Sequence, residues 1–273
     1  MDEGLRREVT EDLWKSGFGS ELKAAQAFDG RESWSIATGT AFFDPVLNLS
    51  RELDLTAYKH RFLQATDGDF LLNVSVSLIA EIKKSETPWV VLRSRQWKSP
   101  EEFFSMNAII RCTSGPSESD VRAQFRAACI ISANKWFGHG VYEALQKKKR
   151  KEEREHGRWF AAAAKTCRAS TVSRNEPLLK FQEDTWVVDY IQPVVVLDGH
   201  LLAANLENNT QEIVVEEVPF ASVRFEEHGP AHRGVFVVDL VGLTSLSSYI
   251  DRIEQGSNQC FARLREYRVG VAL

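Results

Sequence analysis

Between Leu71 and Lys84 the chain reads LLNVSVSLIAEIKK, and every even position from Leu72 to Ile82 is apolar. A repeat of two is the repeat of a β-strand, whose successive side chains point to opposite faces. The even face (Leu72, Val74, Val76, Leu78, Ala80, Ile82) must therefore pack on a core. The odd face reads Asn73, Ser75, Ser77, Ile79, Glu81, Lys83, Ser85. Three charges, Glu81, Lys83 and Lys84, thus crowd the end of an apolar strand. Burying them bare costs several kcal/mol each, so they must be solvated, paired or bound to something.

The segment RELDLTAYK, residues 51–59, has the same grammar. Leu53, Leu55 and Ala57 face one way, while Glu52, Asp54, Thr56 and Tyr58 face the other. If the two strands are neighbours, Asp54 comes beside Glu81 and Lys83. Carboxylates forced together repel unless a proton or a cation sits between them. A hard divalent ion held by one or two carboxylates resolves the conflict.

The rest of the chain reads as mixed α and β structure without repeats. Leu5, Val9, Leu13 and Trp14 recur at helical spacing, and a second helix covers Glu21 to Phe28, with GFGS between them. Strands are expected at 33–44, 88–93, 186–206 (with Asp198-Gly199 as a hairpin turn), 212–218 and 234–242. Helices are expected at 158–169 and at 246–267. The stretch 100–155 holds some helix, a TSGPSES loop and the basic run QKKKRKEER. No linker stands out, so a single domain over 1–273 is expected, with a motif core at about 10–95 and 155–200. On that division 100–155 is a variable insertion and 200–273 a C-terminal extension.

Composition narrows the class. The chain is 43% hydrophobic and 26% charged with a formal net charge of −4, an ordinary globular balance. Four scattered cysteines without a CxxC pair disfavour a disulfide framework or structural zinc, making a reducing cytoplasm the default. The charged start MDEGLRREVTEDLWK is unlike a signal peptide, and no run reaches the length of a membrane span.

An acid on one strand followed by acid-x-lysine on the next resembles the PD-(D/E)xK nuclease superfamily, with its restriction-endonuclease-like fold. The strings RELDLTAY and AEIKKS, preceded by a helix carrying Glu21, are similar to its stand-alone bacterial members. The resemblance covers roughly residues 10–95, with the helix at 158–169 and the strand at 186–197 as further core elements. It departs from the pattern at Leu53, where the name-giving proline would stand. It implies an α/β fold with an αβββαβ core, a mixed central sheet flanked by helices, and here C-terminal strand and helix additions. It further implies Mg²⁺-dependent cleavage of phosphodiesters, with Mn²⁺ as a substitute and DNA as the expected partner. Asp54 then matches the first acid, Glu81 the second, Lys83 the lysine, and Glu21 a helical acid found in many members. Asp54 and Glu81 would hold the metal, joined by the Ile82 backbone carbonyl. The ion would act as Lewis acid and lower the pKa of its water. Lys83 would position that water and stabilise developing negative charge.

Each assignment has a plainer rival. Glu81 and Lys83 could be a surface ion pair. Glu21 could be a first-turn acid behind a Ser20 cap, favoured by the helix dipole. Glu52 is read as solvated or paired with Arg51. Lys84 and Ser85 are candidate phosphate contacts, or simply strand-end residues. Lys147, Lys148, Lys149 and Arg150 could grip a nucleic-acid backbone or form a solvated helix face. The histidines form no recognisable set, and Trp89 is expected in the core. Beside a DNA nuclease stand two alternatives: an RNA nuclease, and a catalytically silent binding scaffold on the same fold.

Overall fold

The computed structural model describes residues 2–64, 70–93, 107–113, 115–127, 137–145, 157–175, 185–207, 212–229 and 232–271. The chain is α/β with one mixed sheet, which has eleven strands among the described residues. Two helices open it, α1 (Glu3–Ser16) and α2 (Phe18–Gln26), separated by Gly17 alone. At φ 98° Gly17 sits in the left-handed region that ends one helix and begins the next. The expected GFGS break is thus a single residue.

Three strands follow as an antiparallel meander: β1 (Trp34–Asp44), β2 (Leu49–Gln64) and β3 (Phe70–Lys84). Asp44 closes the β1–β2 turn, its Oδ1 accepting the N–H groups of Val46 at 2.9 Å and Leu47 at 3.1 Å. Strand β7 (Trp186–Asp198) runs parallel to β3 in unbroken register from Leu72↔Trp186 to Lys84↔Asp198.

The alternation of β3 decides which face meets what. Its even residues join one core cluster with Ala24 of α2, with Phe28 just after it, and with Ile250, Ile253 and Leu264 of the closing helix α5 (Leu246–Val271). The odd face is also buried, beneath α4 (Arg158–Asn175). Ala162, Ala163, Ala164 and Ala169 make that helix surface small, so it lies close on the sheet. Of the polar side chains beneath it, Ser75 donates to Asp189, which the Arg111 guanidinium also holds, while Asn73 Oδ1 is buried without a hydrogen bond.

The Asp198-Gly199 expectation is corrected. The dipeptide turns the chain, but β7 and β8 (Leu201–Leu206) do not pair with each other. Instead β3 and β7 bend together. Ser85 N–H donates to the Asp198 carbonyl at 2.9 Å, and Trp89 N–H to the His200 carbonyl at 2.9 Å. The parallel pair then resumes as β4 (Trp89–Arg93) beside β8. A glycine is needed at 199 because a Cβ there would stand 2.5 Å from the Ser85 carbonyl oxygen.

The remaining strands are β5 (Ile109–Thr113), β6 (Phe137–Glu143), β9 (Ile213–Glu217), β10 (Phe220–His228) and β11 (Arg233–Gly242). Helix α3 (Glu118–Ala127) lies between β5 and β6. The sheet order is β1-β2-β3-β7-β11-β10-β6-β4-β8-β9, with β5 on β7 as well. Strands β10 and β11, from beyond residue 200, therefore lie inside the sheet. Cys112, Cys167 and Cys260 are free thiols, and Trp89 is fully buried. Among the described residues, no helix is long and apolar enough to cross a membrane.

Candidate active site

The register that pairs Leu55 with Ala80 carries Asp54 to the level of Glu81, on adjacent strands and on the face covered by α4. Asp54 Oδ2 accepts the backbone N–H of Ile82 at 2.7 Å. Glu81 is buried, its residue only 2% exposed. Lys83 Nζ lies 2.7 Å from Glu81 Oε2 and 3.7 Å from Asp54 Oδ2, so one ammonium reaches both carboxylates.

A second ammonium comes from α4. Lys165, itself buried, pairs with Glu81 Oε1, and its Nζ is 3.9 Å from Asp54 Oδ1. The pairing is ionic: Glu81 Oε1 is enclosed and has no hydrogen bond of acceptable geometry. No motif had marked Lys165. The signal was present in RWFAAAAKTCRA, because a run of alanines marks a helix surface that packs closely, and a lysine that follows it into the core must meet an anion.

Glu21 stands at the same site. Burial raises its carboxyl above the ordinary value, and the nearby Asp54, Glu81 and Glu52 charges add to the rise while Lys83 opposes it. The plainer account of Glu21 needs correction in one part. Helix α2 begins at Phe18 with Gly17 before it, so Ser20 caps nothing and is buried, donating to Asp198 Oδ2 at 2.5 Å. Glu21 remains in the first turn. Glu52 is exposed, and Arg51 pairs with Asp44, at 3.6 Å, not with Glu52.

Lys84 points to the opposite side of β3 and donates to the Trp14 carbonyl of α1 at 2.7 Å. The Ser85 hydroxyl is buried, donating to the Thr87 carbonyl at 2.7 Å and accepting from Arg158 Nη2 at 2.8 Å. Lys84 and Arg158 line a cleft of about 1070 Å³ together with Lys15, Glu21, Asp54, Ile82 and Lys83, among others. Lysine and arginine thus surround the acids where the cleft opens. Leu145 also lines it, and the basic run Lys147, Lys148, Lys149 and Arg150 that follows in sequence lies outside the described residues.

The donor set can be tested against a metal. Among the described residues, no three His, Cys, Asp or Glu side chains gather closely enough to form a metal-binding group. Mg²⁺ is commonly held through one or two carboxylates with water and substrate phosphate completing the shell, and Asp54 and Glu81 are two such carboxylates, paired in this structure with Lys83 and Lys165.

A second buried cluster escaped sequence reasoning altogether. Arg168 of α4 binds Glu227 and lies 3.2 Å from Asp44 Oδ2, while His232 holds Glu227 at 2.8 Å and Thr171 at 3.0 Å. It ties β1, β10 and His232, just ahead of β11, to α4, the helix that delivers Lys165. No protein-family model, curated protein or solved structure matches the chain.

Proposed function

We propose that the chain is a metal-dependent nuclease, hydrolysing phosphodiester bonds of nucleic acid and DNA in the first instance. The observation that carries the reading is the placement of Asp54 and Glu81 side by side on adjacent strands with Lys83 reaching both. The restriction-endonuclease-like assignment belongs to the same proposal. It is supported by the order α2, β1, β2, β3, α4, β7, with β7 parallel to β3 and α4 over the acidic face.

Asp54 and Glu81, with the Ile82 carbonyl, would hold Mg²⁺, or Mn²⁺ in its place. When bound, that ion supplies Lewis-acid charge stabilisation and a more acidic water. The Ile82 N–H engages Asp54 Oδ2, and Oδ1, 3.9 Å from the Lys165 ammonium, is the oxygen that would serve the ion. Lys83 orients the attacking water and takes up negative charge developing on the phosphate. Lys84, Arg158 and Lys15 offer positive charge along the cleft for the flanking phosphates, which position the strand without reading its sequence.

A second reading has one observation in its favour. Glu81 is already matched by two ammonium groups, as a silent phosphate-binding scaffold would need no metal. Incubating the pure protein with linear, circular and single-stranded DNA and with RNA, under Mg²⁺, Mn²⁺ or EDTA, separates the two. Cleavage that needs the metal and vanishes in Asp54→Asn supports the nuclease. Binding without cleavage of any substrate leaves the scaffold.

A further inference from the structure

We infer that Lys165 is a built-in counter-cation that competes with the metal, so that the site takes up a divalent ion strongly only together with the phosphodiester. The inference rests on the nuclease reading and adds to it a rule for how the site is loaded.

The geometry makes the case. Lys165 is held within α4, whose alanines Ala162, Ala163, Ala164 and Ala169 are buried against the sheet. Its ammonium pairs with Glu81 Oε1 and lies 3.9 Å from Asp54 Oδ1, the oxygen that Ile82 does not engage. Lys83 occupies the other side, 2.7 Å from Glu81 Oε2. Asp54 and Glu81 are matched by Lys83 and Lys165, so with Glu21 beside them the site without metal carries at most one net negative charge. An entering divalent ion meets two fixed positive charges at short range in a poorly solvated place, where repulsion is strong. The phosphodiester brings one negative charge and Glu21 stands ready with a second, which together offset the ion. Metal and substrate then favour each other's binding, and the coupling must be reciprocal.

Lys83 projects from the strand end with its side chain 29% exposed and can swing towards a water or phosphate. Lys165, at 10%, has no solvent to retreat to, so the competition falls on it.

The test measures Ca²⁺ binding, as an oxygen-seeking probe ion, by calorimetry. It uses the full chain without substrate, and then with a short oligonucleotide carrying either phosphodiester or uncharged methylphosphonate linkages. Lys165→Met keeps the length of the side chain and removes its charge. It should bind Ca²⁺ at least tenfold more tightly than wild type without substrate, while Lys165→Arg stays near wild type. In wild type, the phosphodiester oligonucleotide should tighten Ca²⁺ binding by a similar factor and the methylphosphonate should not. Equal Ca²⁺ affinity in wild type and Lys165→Met overturns the competition and leaves the nuclease reading standing. Absence of Ca²⁺ binding in every protein and condition overturns the metal site itself. If Lys165→Met does not fold, the wild-type comparison of the two oligonucleotides decides alone: equal Ca²⁺ affinity with both refutes the coupling.

Discussion

Ile82 and Asp54 are joined across the β2–β3 seam, the backbone N–H of one donating to Oδ2 of the other at 2.7 Å. The bond ties the acid's orientation to the strand register instead of to a side-chain rotamer alone. An asparagine at 54 can still accept that N–H through its amide oxygen, but it carries no charge. Asp54→Asn should therefore melt close to wild type while losing roughly two orders of magnitude or more in cleavage. Asp54→Ala, which also strands the N–H, should in addition cost about 1 kcal/mol of stability. Single-turnover cleavage and thermal melting check both, and full activity in Asp54→Asn would remove the acid from the mechanism.

Lys83 and Lys84 are neighbours in sequence with opposite surroundings. Lys83 faces the carboxylates, whereas Lys84 reaches over to the Trp14 carbonyl of α1. Lys83→Ala should abolish cleavage with substrate affinity largely kept, because its contribution is made in the transition state. Lys84→Ala should cleave, bind modestly more weakly, and show a shallower dependence of affinity on salt. A dead Lys84→Ala beside an active Lys83→Ala would show that the wrong lysine has been placed at the chemistry.

Glu21 is held above its ordinary pKa by burial and by the acids around it. For a carboxyl raised in the folded state, ionisation works against folding. The cost is absent below the unfolded value and grows as pH rises through the folded one. Glu21→Gln should accordingly raise the melting temperature without metal, with the gain appearing as pH climbs from the acid side towards neutrality. It should also raise the Mg²⁺ concentration needed for half-maximal cleavage, by about 10–100-fold if Glu21 supports the ion from the outer shell. An unchanged metal requirement would return the residue to its place as a first-turn acid.

Arg168 holds two carboxyls at once. Burial alone would raise both. The N–H groups of Leu47 and Val46 with Arg168 bring Asp44 below its ordinary value, and His232 with Arg168 does the same for Glu227. Depressed carboxyls stabilise the fold above their unfolded pKa, about 4, and that stability is lost as pH falls further through the folded values. Arg168→Gln should cost about 3 kcal/mol at neutral pH, since it breaks a buried ion pair. Wild type and variant should converge as the pH falls below about 4. Urea melts from pH 7 to pH 3 would show it, and a gap independent of pH would mean that the loss is one of packing.

Much of the fold was legible where one face of an element differs from the other. The alternation of Leu72 to Ile82 located β3 and its core face, and the same pattern in residues 51–59 located β2. Strand β10 escaped because both of its faces are buried and lack that contrast, as where buried Ala221, Ser222 and Val223 follow one another, while β5 and β6, of five and seven residues, are too short to carry the pattern. Asp198-Gly199 misled for a related reason. The dipeptide reports a tight turn, but what pairs with what after the turn depends on β3 bending alongside.

The sequence by itself determined that Glu81 and Lys83 share one face of β3 and that Asp54 lies on the face of β2 away from Leu55 and Ala57, since strand periodicity fixes the side to which each residue points. It also required that Glu81 find a positive partner, since an anion is not buried bare. Only the tertiary structure decided that the partner is doubled. Lys165 meets Glu81 because α4 packs its alanines on the odd face of β3, a contact between residues 84 positions apart. Local pattern reports which way a side chain faces. What it faces is settled by long-range packing, which depends on how closely two surfaces can approach.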